Sequence, residues 1–328
     1  MVYNVANGIT EEDMATKRRK KKKSRLSPLA IIIILIISLI AYIASEYTGK
    51  DSETTAPDNT SVPTSNEITV SSGELGTVEY HFIDVGQGDA TLIRTPEGDI
   101  LIDAGENSAE DELKAYLDLQ GVEVLYHAIF THPDSDHIGG ADMVLAEYEI
   151  LNVIKPELEK DTTVYKRMMD AIAAEGCKVY NALPGETYSL GEFDMFVFGP
   201  DPNNKALDSN NSSIVIKATW GSTTAMLTGD AEKPAEESIL KTYSGVELGS
   251  MLLKMGHHGS KTSSTEAWLS AVNPKIAVIS CGLNNKYGHP HAEVLARIEP
   301  YVGDQIYRTD LLGSIVFITD GTSFIYQD

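Results

Sequence analysis

Residues 124–140 read Val-Leu-Tyr-His-Ala-Ile-Phe-Thr-His132-Pro-Asp134-Ser-Asp136-His137-Ile-Gly-Gly. The first eight are nearly continuous apolar and β-prone residues, the pattern of a buried strand. The strand runs straight into four potential metal ligands within six residues. His132 and His137 offer imidazole nitrogen, and Asp134 and Asp136 offer carboxylate oxygen. That mixture suits Zn²⁺ or Mn²⁺. Gly139-Gly140 then lets the next helix start close to the ligands. Taken alone, the same residues would also fit an Asx-rich turn capping a helix.

Working outward, the same grammar recurs: a short apolar strand, then a glycine-bounded loop carrying chemistry. Residues 99–102 lead to Asp103-Ala-Gly, 224–229 to Asp230, 251–255 to Gly-His257-His258-Gly-Ser260, and 275–281 to a loop containing His289. Five of the eight histidines fall in such loops. His81 and His127 fall inside predicted strands and read as core or sheet-face residues, and His291 reads as a helix start. Asp84 and Asp89 bracket a Gly-Gln-Gly turn that reads as the support of a first hairpin, with a direct role at the site as the alternative.

Strands are expected at 78–85, 90–94, 99–105, 124–131, 192–198, 213–219, 224–229, 251–255, 275–281, 304–309, 313–319 and 322–326. Helices are expected at 108–119, 138–148, 162–175, 232–242, 263–271 and 291–299. This mixture predicts an α/β domain with two sheets between helices, spanning 77–328.

The chain of 328 residues carries a formal charge of -22. Residues 1–27 hold eight Lys/Arg against three Asp/Glu, whereas 77–328 hold seventeen against thirty-nine. So acidic a domain is not built to grip long nucleic acid on a broad basic surface. Two cysteines exclude a disulfide scaffold and a thiolate-dominated zinc site. Residues 1–25 read as a basic cytoplasmic tail. The uncharged run 26–44 would cross roughly 28 Å of hydrocarbon as a helix. It lacks the small-residue pattern of a cleavage site, so an uncleaved anchor is expected, with the basic cluster inside and residues 77–328 outside the cell membrane. Residues 45–76, rich in Ser, Thr, Pro and Asn, read as a flexible linker.

The run His132-Pro-Asp134-Ser-Asp136-His137 resembles the H-x-H-x-D-H motif of the metallo-β-lactamase superfamily, with Asp134 in place of the second histidine. Together with Phe82-Ile-Asp84-Val-Gly-Gln-Gly-Asp89-Ala, Gly256-His-His-Gly-Ser260 and Tyr287-Gly-His289-Pro-His291, it resembles the hydrolase domain of ComEC-type competence proteins. The resemblance implies a metallo-β-lactamase αββα sandwich with two divalent ions, Zn or Mn. It places His132 and Asp134 on one ion and Asp136 and His137 on the other, with Asp230 bridging. The family's further histidine is absent, since none occurs between His137 and His257, and the pair His257 and His258 is expected to supply one ligand to each ion.

The implied function is metal-dependent hydrolysis by a metal-bridging hydroxide, on phosphodiesters such as single-stranded DNA or a nucleotide, with room for a separate transport partner. Lactone, thioester or β-lactam hydrolysis is the alternative, and a non-catalytic surface binding protein is a third. Asp136 and His289 are the expected catalytic groups, His289 as general acid or phosphate donor. Asp103 is expected to orient a metal-binding histidine. Asn211, Ser260, Lys261 and Arg308 are candidate phosphate contacts.

Overall fold

The computed structural model describes residues 75–203 and 208–328. The expected tail, the 26–44 anchor and nearly all of the linker lie outside these residues. Among the described residues no helix is long and apolar enough to cross a membrane.

The chain opens with β1 (Val78–Phe82), β2 (Thr91–Thr95) and β3 (Gly98–Ile102), followed by α1 (Glu110–Leu119) and β4 (Val124–Ile129). Next come α2 (Ser135–Ile138), α3 (Ala141–Glu147), β5 (Glu149–Lys155), α4 (Thr163–Glu175) and β6 (Lys178–Asn181). A meander of β7 (Thr187–Leu190), β8 (Phe193–Gly199), β9 (Val215–Trp220) and β10 (Thr223–Leu227) leads to α5 (Lys233–Thr242), α6 (Gly245–Leu248) and β11 (Leu252–Lys254). The rest is α7 (Glu266–Val272), β12 (Ile276–Ile279), α8 (Ala292–Val302), β13 (Ile306–Arg308), α9 (Thr309–Leu312), β14 (Ile315–Thr319) and β15 (Phe324–Gln327).

Among the described residues the strands form two sheets. One has eight strands in the order β15-β14-β1-β2-β3-β4-β5-β6, and the other seven in the order β13-β12-β11-β10-β9-β8-β7. In each sheet the meander strands pair antiparallel, and the strands connected through helices pair parallel.

Alternation in β1 shows how sequence selects the layers. Val78, Tyr80 and Phe82 face the core between the sheets with Phe193, Ile216 and Phe317. His81 faces the other way and meets the Tyr116 hydroxyl of α1 at 2.8 Å. Helices α1, α3 and α4 cover the outer face of the first sheet, while α5, α7 and α8 cover the second. The ends of α4 are set locally: Thr162 accepts the N–H of Tyr165, and Gly176 closes the helix at φ 75°. Buried Tyr165, Met168 and Ile172 form its apolar stripe.

Two expectations change here. The helix expected over 138–148 is α3 alone, starting at Ala141, and Gly139-Gly140 part it from the additional short α2 at Ser135–Ile138. Strands β5, β6 and β7 are additional to those expected from the sequence.

Candidate metal centre

The ligand-bearing loops meet at one end of the sandwich. Thr131 and His132 leave β4, and the Thr131 carbonyl accepts the N–H of Ile214 at 2.9 Å, joining the two halves beside the site. His132 is buried. Its Nδ1 lies 3.2 Å from Thr131 Oγ1 and 3.3 Å from Ser213 Oγ, which leaves Nε2 without a hydrogen-bond partner. Burial and the neighbouring His137 push the His132 imidazole down to about 3.

His137 sits on α2. Its Nδ1 donates to Asp103 Oδ2 at 2.7 Å, and its Nε2 faces Asp230 Oδ1 at 3.1 Å. Asp103 stands at φ 60° after β3. Its carboxylate also accepts the N–H and the hydroxyl of Thr131, both at 2.7 Å. Burial raises the Asp103 carboxyl, with His137 opposing. Burial works against a charged His137 too, yet Asp230 and Asp103 hold its imidazole protonated well above the usual range. A proton on this ring thus occupies a position of strongly negative potential.

Asp230 follows β10 and is the hub. Its N–H donates to Ser213 Oγ at 3.0 Å, and its Oδ2 lies 3.6 Å from Nε2 of both His257 and His258 and 3.9 Å from His132 Nε2. Burial pushes its carboxyl up, but His137, His258 and His132 together hold it well below the carboxylate range.

The two adjacent histidines can both face Asp230 because the backbone turns left-handed under them, at φ 49° for His257 and 55° for His258. Such conformations cost on the order of 1–3 kcal/mol each for non-glycine residues and cluster at functional sites. Each ring is held from behind: His257 Nδ1 lies 2.9 Å from Glu232 Oε1, and His258 Nδ1 donates to the Ser280 carbonyl at 2.9 Å. Asp136 Oδ2 lies 3.4 Å from His258 Nε2.

Whether these residues suit a metal can be judged from their unused atoms. Nε2 of His132, His137 and His258 and Asp230 Oδ1 are buried without hydrogen bonds, while Asp89 spends its charge on Lys254. Ligand atoms of Asp89, His137, Asp230 and His258 all lie within 4.8 Å of one another. Buried, mutually aimed imidazole nitrogens and carboxylate oxygens are the donor set of a divalent cation, and they would be costly without one.

Several expected residues are placed differently. Asp134 is turned aside, ion-paired with Lys160 and hydrogen-bonded by Ser209. Asn211 is buried and spent on structure: it donates to Asp208 and accepts the N–H groups of Glu232 and Ala235. Ser260 is buried against Thr262. Lys261 is exposed and lines a groove with Lys233, Thr262, Glu266 and Arg297. Arg308, a candidate phosphate contact, is instead held by Asp310 through two contacts of 3.0 and 2.6 Å. His289 does reach the mouth, with its ring centroid 5.4 Å from that of His257.

Asp89, expected first to support a turn and alternatively to act at the site, is brought into the cluster by the fold. It is buried and ion-paired with Lys254. The signal was Lys254 itself, a lone charge within the apolar run Met-Leu-Leu-Lys-Met, which requires a buried counter-ion.

Two mixed sheets between helices, with a His/Asp cluster across their strand ends, define a metal-dependent hydrolase of the metallo-β-lactamase type. The family model "Metallo-beta-lactamase superfamily" matches residues 83–283, and the chain belongs to that superfamily. It is 30% identical over 257 residues to "ComE operon protein 3" of Bacillus subtilis and 34% identical over 224 residues to "Recombination protein 2" of Haemophilus influenzae. These matches cover 73% and 67% of this chain but only 33% and 26% of the relatives. The chain is also 32% identical to "Competence protein ComA" of Neisseria gonorrhoeae, over 71% of its length and 31% of that protein. Its domain is thus similar to the hydrolase domain of ComEC-type competence proteins. Among solved structures, the metallo-β-lactamase fold protein YhfI of Bacillus subtilis shares the fold at a TM-score of 0.52 and 10% identity, covering 74% of this chain and all of that one.

Proposed function

We propose that this chain is a phosphodiesterase working with two divalent ions, Zn²⁺ or Mn²⁺, and that residues 26–44 anchor it in the cell membrane with the hydrolase domain outside. The observation carrying the chemistry is the set of buried, unpartnered Nε2 atoms of His132, His137 and His258 turned toward Asp230. His132, His257 and Asp230 would hold one ion. His137, His258, Asp136 and Asp230 would hold the other, with Asp89 beside it. Bound ions would supply Lewis acidity and lower the pKa of nearby water.

The chain's own residues set the rest. Asp103, Ser280 and Glu232 fix the tautomer and direction of three histidines, so that each presents Nε2 to the centre. Asp230 sits between both ligand groups and holds them at one spacing. Burial and the imidazoles of His257, His258 and His291 push His289 down to about 4. At neutral pH it is an uncharged ring, better suited to donating a hydrogen bond to a phosphoryl oxygen than to delivering a full proton. The relatives' names, which refer to competence and recombination, favour a nucleic-acid-derived phosphodiester and a separate transport partner.

The test is metal analysis of the purified full-length protein, with hydrolysis of bis-p-nitrophenyl phosphate after adding Zn²⁺ or Mn²⁺. Bound metal with turnover is expected; a protein that takes up neither ion and stays silent overturns the reading. For topology, protease treatment of intact cells should remove the domain, and complete protection would reverse the orientation.

A further inference from the structure

The loop between β12 and α8 forms a hydrogen-bonded shelf at the mouth of the centre. Asn285 ties it together: its amide donates to the carbonyls of Gly282 at 2.9 Å and His289 at 2.6 Å. Its side-chain oxygen accepts the N–H groups of Tyr287 at 3.2 Å and His289 at 3.0 Å. Gln87 secures the shelf from the opposite loop by accepting the Gly282 N–H at 3.1 Å.

Three rings stand in a column on this shelf. His289 lies over His258 with centroids 6.2 Å apart and planes 24° apart, and Tyr287 lies over His289 at 5.5 Å and 20°. The column begins at a buried ring of the metal centre and ends at a tyrosine that is 51% exposed. Lys286 Nζ lies over the Tyr287 ring, 4.9 Å from its centroid, and so covers it. The Tyr287 hydroxyl, with smaller contributions from Glu106 and Asp136, favours its charged form.

We propose that Tyr287 and Lys286 form a subsite for an unpaired, planar base carried next to the scissile phosphodiester; this rests on the phosphodiesterase reading above. Once Lys286 swings from the Tyr287 ring to the adjoining phosphate, the column of near-parallel rings is extended by the next π-face, and every nucleobase offers one. The faces of a base within a duplex are already covered, so the column selects a single strand or a short nucleotide. Lys286 meets the adjoining phosphate, and because the surrounding domain is acidic, recognition is confined to one or two nucleotides. Asn285 fixes the shelf beforehand, so little ordering accompanies binding.

The test uses the full-length protein and its Tyr287→Ala and Tyr287→Phe variants. Fluorescence anisotropy with labelled pentathymidylate, in EDTA and low salt, reads the subsite without metal. Tyr287→Ala should weaken binding about 5- to 140-fold, the range of one base–aromatic stack, and Tyr287→Phe should keep most of it. With metal added, Tyr287→Ala should lower kcat/KM for thymidylyl-thymidine relative to methyl p-nitrophenyl phosphate by a similar factor, mainly through KM. No wild-type binding of pentathymidylate, or equal binding by wild type and Tyr287→Ala, overturns the subsite. Wild-type protein that hydrolyses neither ester overturns the phosphodiesterase reading instead.

Discussion

Asp103 shows how much a single carboxylate can organise. It grips Thr131 through two hydrogen bonds and His137 through a third, so it sets both the end of β4 and the direction of a ring in the centre. Asp103→Asn keeps the size but loses the charge that orients the imidazole. Metal affinity should fall about 10- to 100-fold, measured by competition with a fluorescent chelator, and an unchanged affinity would refute the role. His127 illustrates a histidine outside the site. It is buried between Tyr126 and Tyr188, neither ring nitrogen has a partner, and burial pushes its pKa down to about 4. The unfolded ring, near 6.5, therefore binds a proton first as pH falls, and stability drops between about 6.5 and 4. His127→Leu should remove about 2 kcal/mol of the loss seen in urea unfolding between about pH 7 and 4.5. Parallel losses in variant and wild type would refute this.

At the scale of elements, the loops after strands were readable because apolar runs ended abruptly in glycine and ligand residues. His132, Asp136, His137, Asp230, His257 and His258 all come from such points and do converge. What escaped reading depends on partners far away in sequence. Asp89 looks like any turn acid until Lys254, far along the chain, is placed beside it. Asp134 looks like a ligand until Lys160 and Ser209 draw it aside. The exposed strand β6 and the mostly exposed β7 carry little periodicity to betray them. Gly139 marks where α2 gives way to α3. It has a helical φ of -57°, so its need for glycine is steric: a Cβ would sit 2.5 Å from both the Glu106 carbonyl carbon and the Ser135 carbonyl oxygen. Gly139→Ala should cost about 1–3 kcal/mol, read as a lower thermal midpoint, because those neighbours are backbone and cannot rotate away. A midpoint equal to wild type would show that the two loops yield freely.

Across the whole domain, the centre gathers Asp89, Asp103, Asp136 and Asp230 within a body already rich in negative charge. A divalent cation that binds only the folded form should therefore stabilise it. At a hundredfold excess over its dissociation constant the gain is about 2.7 kcal/mol. For a domain of this size that is a rise of roughly 5–10 °C in thermal midpoint on adding Mn²⁺ or Zn²⁺ to chelated protein. Scanning fluorimetry checks it, and an unchanged midpoint at saturating metal would mean that the cluster does not close on an ion.

The pairing of β14 with β1 has a consequence for how the molecule is made. The first strand of the described domain to leave the ribosome pairs at once with β2 but waits for nearly the last strand before its second neighbour arrives, and the ligand loops of the two sheets are likewise translated far apart. A nascent polypeptide thus carries its imidazoles and acids as separate weak chelators, and ion capture becomes a late event in biogenesis that reports a finished sandwich.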